Sequence, residues 1–190
     1  MKTAIARSRL RNAIVFFAQN TEYCGKIKLF KLLYKLDFEH FRQTGKSVTG
    51  FEYQAWKFGP VPVKLMQEWE DLEEDLDAVV QIVPVKVIDY YRQEVKVRDG
   101  VTFDGDDFTG RQMSILHELC DKYAKAQSPE MIDVTHEQNG AWDRVWAGGS
   151  GAQHVIPYEL ALADDENRAE ILEMQKESMG LSHALQDGGY

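Results

Sequence analysis

The sequence predicts an α+β fold, a single mainly helical domain around a central buried helix with a small antiparallel β-sheet. Three observations carry this. Between Lys26 and Gln43 the apolar residues Ile27, Leu29, Phe30, Leu32, Leu33, Tyr34, Leu36, Phe38 and Phe41 cover most of a helical wheel, so this helix is clasped on several sides. Two stretches, Phe51 to Trp56 and residues 80–104, switch to β-branched and aromatic residues with a period of two, the pattern of strands. And 190 residues at 44% hydrophobic content suffice for one sizeable core but not comfortably for two. Residues 1–180 are expected to form the domain and 181–190 a flexible C-terminal tail.

Taken in order, Ser8 is placed to cap a first helix running to about Asn20. In the central helix Lys28, Lys31, Lys35, Glu39 and Arg42 fall on one narrow stripe, expected to be its exposed basic face. Gly45 suits the left-handed position after its end. Gly59-Pro60-Val61-Pro62 is expected to be a rigid corner, because two prolines remove donors and fix φ, leading into a helix from Val63 to about Asp77. That helix carries seven acids, Glu68, Glu70, Asp71, Glu73, Glu74, Asp75 and Asp77. Strands follow at Gln81 to Ile88 and Gln93 to Arg98, with Pro84 keeping the first at an edge and a short strand possible by pattern at Val101 to Phe103. These are expected to share a sheet with the Phe51 strand.

The next helix opens on a capping box, Thr109 with Gln112, and runs to about Lys125. Ser128 and Pro129 start another in the same manner, and Ala141 to Trp146 form a short helix ended by Gly148-Gly149-Ser150-Gly151. Val155 to Tyr158 is extended, and Asp164-Asp165 begin a last helix to about Gly180.

A net charge of -9 repels nucleic acid and anionic membrane. Arginines at 7, 9 and 11 interrupt the N-terminal apolar run, no stretch is long enough to span a bilayer, and Cys24 and Cys120 have no metal-like spacing. A cytoplasmic protein with reduced thiols is expected. There is no phosphate-cradling glycine loop and no nucleophile elbow. His136-Glu137 is half of a zinc-peptidase motif, lacking a histidine at Gly140, so neither metal nor cofactor is expected. Adjacent helical residues point about 100° apart, so His136 and Glu137 do not readily serve one substrate atom.

One residue stands out of pattern. Asp37 lies opposite the polar stripe, between Phe30 and Leu33 on the wheel, with His40 at the edge of the same arc. A carboxylate there requires a partner or several hydrogen bonds, from His40, Tyr53, Trp56 or His136. A structural network is the first reading, and a small hydrolase using Asp37, His40 and His136 an alternative.

The segment KLLYKLDFEHFRQTGKSVTGFEYQAWKFGPVP resembles the opening of the Panacea domain of the SocA-like antitoxin family, whose members are phage-associated. The matching residues are Asp37 to Phe41, Gly45, Thr49-Gly50, Trp56 and Phe58 to Pro62, with Thr135-His136-Glu137 and Ala141-Trp142 similar to a second element near that domain's end. Lys35-Leu36 departs from the pattern. The resemblance covers residues 10–150 and implies a non-enzymatic antitoxin of a toxin-antitoxin system. It would neutralise a cognate toxin, encoded by an adjacent gene, through direct protein-protein binding. A proteolytic adaptor that delivers the toxin to a protease is the alternative, followed by the hydrolase and a DNA-binding regulator acting through Lys28, Lys31 and Lys35. The residues expected to serve the family motif or its polar network are Asp37, His40, Trp56, Gly59, Pro60, His136, Glu137 and Trp142. Candidate partner-binding residues are Glu68, Asp71, Glu74 and Asp75 on the acidic helix and the three lysines of the stripe.

Overall fold

The computed structural model describes residues 2–187. Two long helices, α1 (Lys2–Asn20) and α2 (Lys26–Thr44), lead into the hairpin β1 (Tyr53–Trp56) and β2 (Gly59–Pro62), the short helices α3 (Val63–Glu68) and α4 (Glu74–Asp77), and a second hairpin, β3 (Val80–Val87) with β4 (Tyr90–Val97). Helices α5 (Gly110–Tyr123), α6 (Ser128–Thr135), α7 (Ala141–Trp146) and α8 (Arg168–Asp187) complete the chain. Helix α2 is the axis: α1, α5, α6, α8 and both hairpins pack on it, and Leu29, Leu32, Leu33 and Leu36 are buried. Gly45 closes it in the left-handed conformation, φ 68°, its N–H bonded to Phe41 O.

The two strand regions do not join. Each forms its own two-stranded antiparallel sheet, and Val101 to Phe103 pairs with neither. The expected proline corner is a strand. Pro62 lies opposite Tyr53 and Pro60 opposite Ala55, but the backbone groups of Tyr53 and Ala55 turn the other way, to Ile156 N and to His154 O and Gln153 N. The prolines therefore occupy positions where the ladder needs no donor.

The acidic stretch breaks into α3 and α4 in place of one helix. Like charges three and four residues apart destabilise a continuous helix, and Arg7 draws the two pieces together, donating to both Glu68 and Asp75. Arg7 also shows that α1 begins ahead of Ser8, which lies inside the helix and does not cap it.

The capping box of Thr109 and Gln112 forms as the sequence predicts. In α6 the box forms one residue before the expected Ser128, between Gln127 and Glu130. Helix α8 starts at Arg168, after Asp164-Asp165, and continues to Asp187, into the stretch expected as a tail; residues 188–190 lie outside the described residues.

Candidate functional site

Asp37 is fully buried because its face of α2 is covered by the loop after α2 and by β1. Its Oδ1 accepts the backbone N–H groups of Val48 and Thr49, both at 2.7 Å, and its Oδ2 accepts the hydroxyls of Thr49 and Tyr53, the latter at 2.7 Å. Burial raises the carboxyl above its ordinary value, while the four donors from Thr49, Tyr53 and Val48 pull the other way. The partner comes from the loop after α2 and from β1, with Tyr53 the one expected residue among them. His40 is instead held by Lys46 O at 2.7 Å, its pKa lowered by burial. His136 bonds none of these groups. Asp37, His40 and His136 are thus three separate environments, and the constellation that the hydrolase alternative required is not assembled.

The lysine stripe requires the largest correction. Lys28 and Lys31 are buried, at 0% and 2% exposure, so neither offers a free surface to a partner or a phosphate. Lys28 Nζ donates to the carbonyls of Glu22, Ala124 and Ala126 at 2.7, 3.1 and 2.9 Å. Three donors meet three carbonyls, two of them just beyond the end of α5 where backbone acceptors are left over. Lys31 Nζ has one such bond, 2.9 Å to Pro60 O, and burial pulls its pKa down to about 7. Only Lys35 remains partly open. It lines a cleft of about 530 Å³ with Glu39, Arg42 and Glu137.

Around Lys31 the two family-like motifs meet. Gly59 has φ 97°, and a Cβ there would lie 2.6 Å from Lys31 Nζ and 2.9 Å from Thr135 Oγ1, so only glycine lets β2 approach α2 and α6 this closely. Trp142 donates its indole N–H to Trp56 O at 3.0 Å and stacks on His136, with ring centroids 3.8 Å apart and planes 2° from parallel. His136 Nε2 is buried without a partner among the described residues, and its pKa is lowered by burial and then by the charge of Lys31. Glu137, next in sequence, is exposed. The motif residues Trp56, Gly59, Pro60, His136 and Trp142 thus lock α2, the first hairpin, α6 and α7 together.

The acidic candidates divide. Arg7 binds Glu68, Glu73 and Asp75, and Arg98 binds Asp77. Asp71 and Glu74 are exposed and form no ion pair among the described residues. Arg7 was not singled out by the sequence, where its only sign was a cation on the first helix. Thr49 stood out in the sequence only as part of the family-like turn and not as a partner of Asp37, and Tyr158, which donates to Phe51 O at 2.6 Å, was not singled out.

A family model described as antitoxin SocA-like, Panacea domain, matches residues 29–143. No curated protein and no solved structure matches the chain. Among the described residues no helix is long and apolar enough to cross a membrane, and no group of three or more His, Cys, Asp or Glu residues is set to hold a metal ion.

Proposed function

Because the chain belongs to the SocA-like antitoxin family through its Panacea domain, we propose that it is the antitoxin of a toxin-antitoxin pair and neutralises its cognate toxin by binding it directly. The family match across residues 29–143, more than half of the 190-residue chain, is the observation that carries this reading. The net charge of -9 is consistent with it, since an acidic protein gains association rate towards a basic one through long-range attraction. The motif residues being spent on internal packing fits a scaffold whose partner is met by its outer surfaces.

The test is co-expression with the product of the neighbouring open reading frame. The expected result is a product that stops growth alone, is harmless together with this protein and co-purifies with it. Toxin that disappears from the cell, and does not merely lose its activity, would assign the proteolytic adaptor instead. A neighbour that is harmless in both conditions overturns the pairing.

A further inference from the structure

One outer surface combines a cleft, a predominance of acids along it and exposed apolar groups beside it. The segment between α3 and α4, with α4 itself, and the β3–β4 hairpin border an open cleft of about 740 Å³. Leu72 and Ile82, over the buried Trp69, form its apolar part; Glu70, Asp71, Glu74 and Asp77 are its acids, and Arg98, paired with Asp77, is the cation that lines it. The rim, Glu70, Asp71 and Glu74, is what remains of the acidic run after Arg7 and Arg98 have taken Glu68, Glu73, Asp75 and Asp77. Glu70 reaches a cation only at 3.9 Å, from Lys26, and its side chain is 80% exposed.

The hairpin extends this surface. Gln93 lines the cleft and accepts the Trp69 indole N–H at 3.3 Å. Side chains alternate along a strand, so Tyr91 stands on the same face as Gln93, about 7 Å further out. It is 69% exposed, and Ile88 at the turn is 86% exposed. Two large apolar side chains held in water beside a tryptophan-floored acidic cleft have the composition of a protein interface, aromatic anchors with charges that steer.

We propose that this cleft and the hairpin tip above it are the docking surface for a basic segment of the partner protein. Its Lys or Arg groups would meet Glu70, Asp71 and Glu74, and its apolar side chains would lie on Tyr91 and Ile88. The sign of the rim selects the occupant: it repels nucleic acid and, in a chain of net charge -9, a second copy of this protein. The identity of the partner as a toxin rests on the reading above.

The surface is tested with three full-length proteins beside the wild type: Asp71→Lys with Glu74→Lys, Tyr91→Ala, and a control reversing the other cleft, Glu118→Lys with Glu137→Lys. Each is titrated against the purified neighbouring gene product and, separately, against a synthetic peptide of alternating arginine and leucine. The expected result is a loss of about tenfold or more in affinity for the neighbour in the first two variants and none in the control, with the charge reversal acting mainly on the salt-dependent association rate. The peptide should follow the same order. Cleft variants that bind the neighbour as well as wild type, while wild type neutralises it, overturn this surface and leave the antitoxin reading intact. A harmless neighbour removes that reading, and the peptide then decides: equal binding to wild type and charge-reversed protein overturns the surface as well.

Discussion

The junction of α2, the first hairpin, α6 and α7 and the flank made by α3, α4 and the second hairpin are both rich in charge, and they use it in opposite ways. In the junction and just before it along α2, Asp37, Lys31 and Lys28 point inward and are answered mostly by backbone N–H and C=O groups. A buried charge answered by main chain fixes where that main chain can run, so these residues specify shape. On the flank, Glu68, Glu73, Asp75 and Asp77 are answered by arginine side chains at the surface, while Asp71 and Glu74 face water. Charge of that kind costs little to rearrange and is available to another molecule. The family motifs fall on the first region, which is why recognising them identifies the scaffold and leaves the partner's contact surface to be found by geometry.

The sharpest way to break the comparison is Asp37→Ala. It strands two backbone N–H groups and two hydroxyls in the interior, and unfolding in urea is expected to show a loss of about 3–4 kcal/mol. Asp37→Asn should cost about 1–2 kcal/mol, because its oxygen can keep the two amides while its nitrogen donates to the hydroxyl oxygens of Thr49 and Tyr53. Equal losses in the two variants would mean that the negative charge, and not the hydrogen-bond geometry, holds the loop after α2. A loss below about 1 kcal/mol for the alanine variant would remove Asp37 from the framework altogether.

A smaller effect separates the two buried lysines. Among the described residues Lys28 has a carbonyl for each proton and Lys31 has one. In the folded protein Lys31 releases its proton near pH 7, against about 10.4 in an unfolded chain. Between these values the unfolded chain binds more protons, so stability rises with pH, by at most ~1.4 kcal/mol per unit from this residue. Above about pH 9 the buried thiol of Cys24, raised to about 11, opposes the trend, and His136 titrates below the window. From pH 7 to 9 the wild type should therefore gain about 1–2 kcal/mol relative to Lys31→Met, measured by denaturant unfolding at each pH. Parallel pH profiles for the two proteins would show that Lys31 keeps its charge in the interior.

These lysines also mark how far the sequence could be read. Helix α2, the left-handed Gly45, the Thr109–Gln112 box and the bounds of α7 were legible because each depends on residues within one turn of one another. The stripe of Lys28, Lys31 and Lys35 was legible as a stripe but not as a buried one. Periodicity reports that side chains share a direction, and what lies in that direction was set by carbonyls of Ala124 and Ala126, nearly a hundred residues away. The break between α3 and α4 depends in the same way on Arg7, and the proline strand β2 on hydrogen bonds from Gln153 to Ile156 that free it from donating. Asp37 announced itself by being out of pattern, whereas nothing marks two of its donors, the amide of Val48 and the hydroxyl of Thr49, as its partners before the loop is folded.

The smallest expected effect is also the one that most directly opposes the two regions. Reversing Asp71 and Glu74 to lysine places two new cations on an exposed rim whose neighbouring cations, Arg7 and Arg98, are already paired with other acids, and thermal unfolding should change by no more than about 0.5 kcal/mol. Removing one cation from the same flank should cost more. Arg7→Met releases Glu68, Glu73 and Asp75 into mutual repulsion and removes a forked pair of bonds joining α1 to both α3 and α4, for a loss of about 1–2 kcal/mol. If the double reversal proved as costly as Arg7→Met, Asp71 and Glu74 would belong to the framework after all, and the distinction between charge that shapes the fold and charge that is free to meet a partner would not hold on this flank. If it is neutral for folding and still costs binding, the two roles are carried by different acids within one run of ten residues.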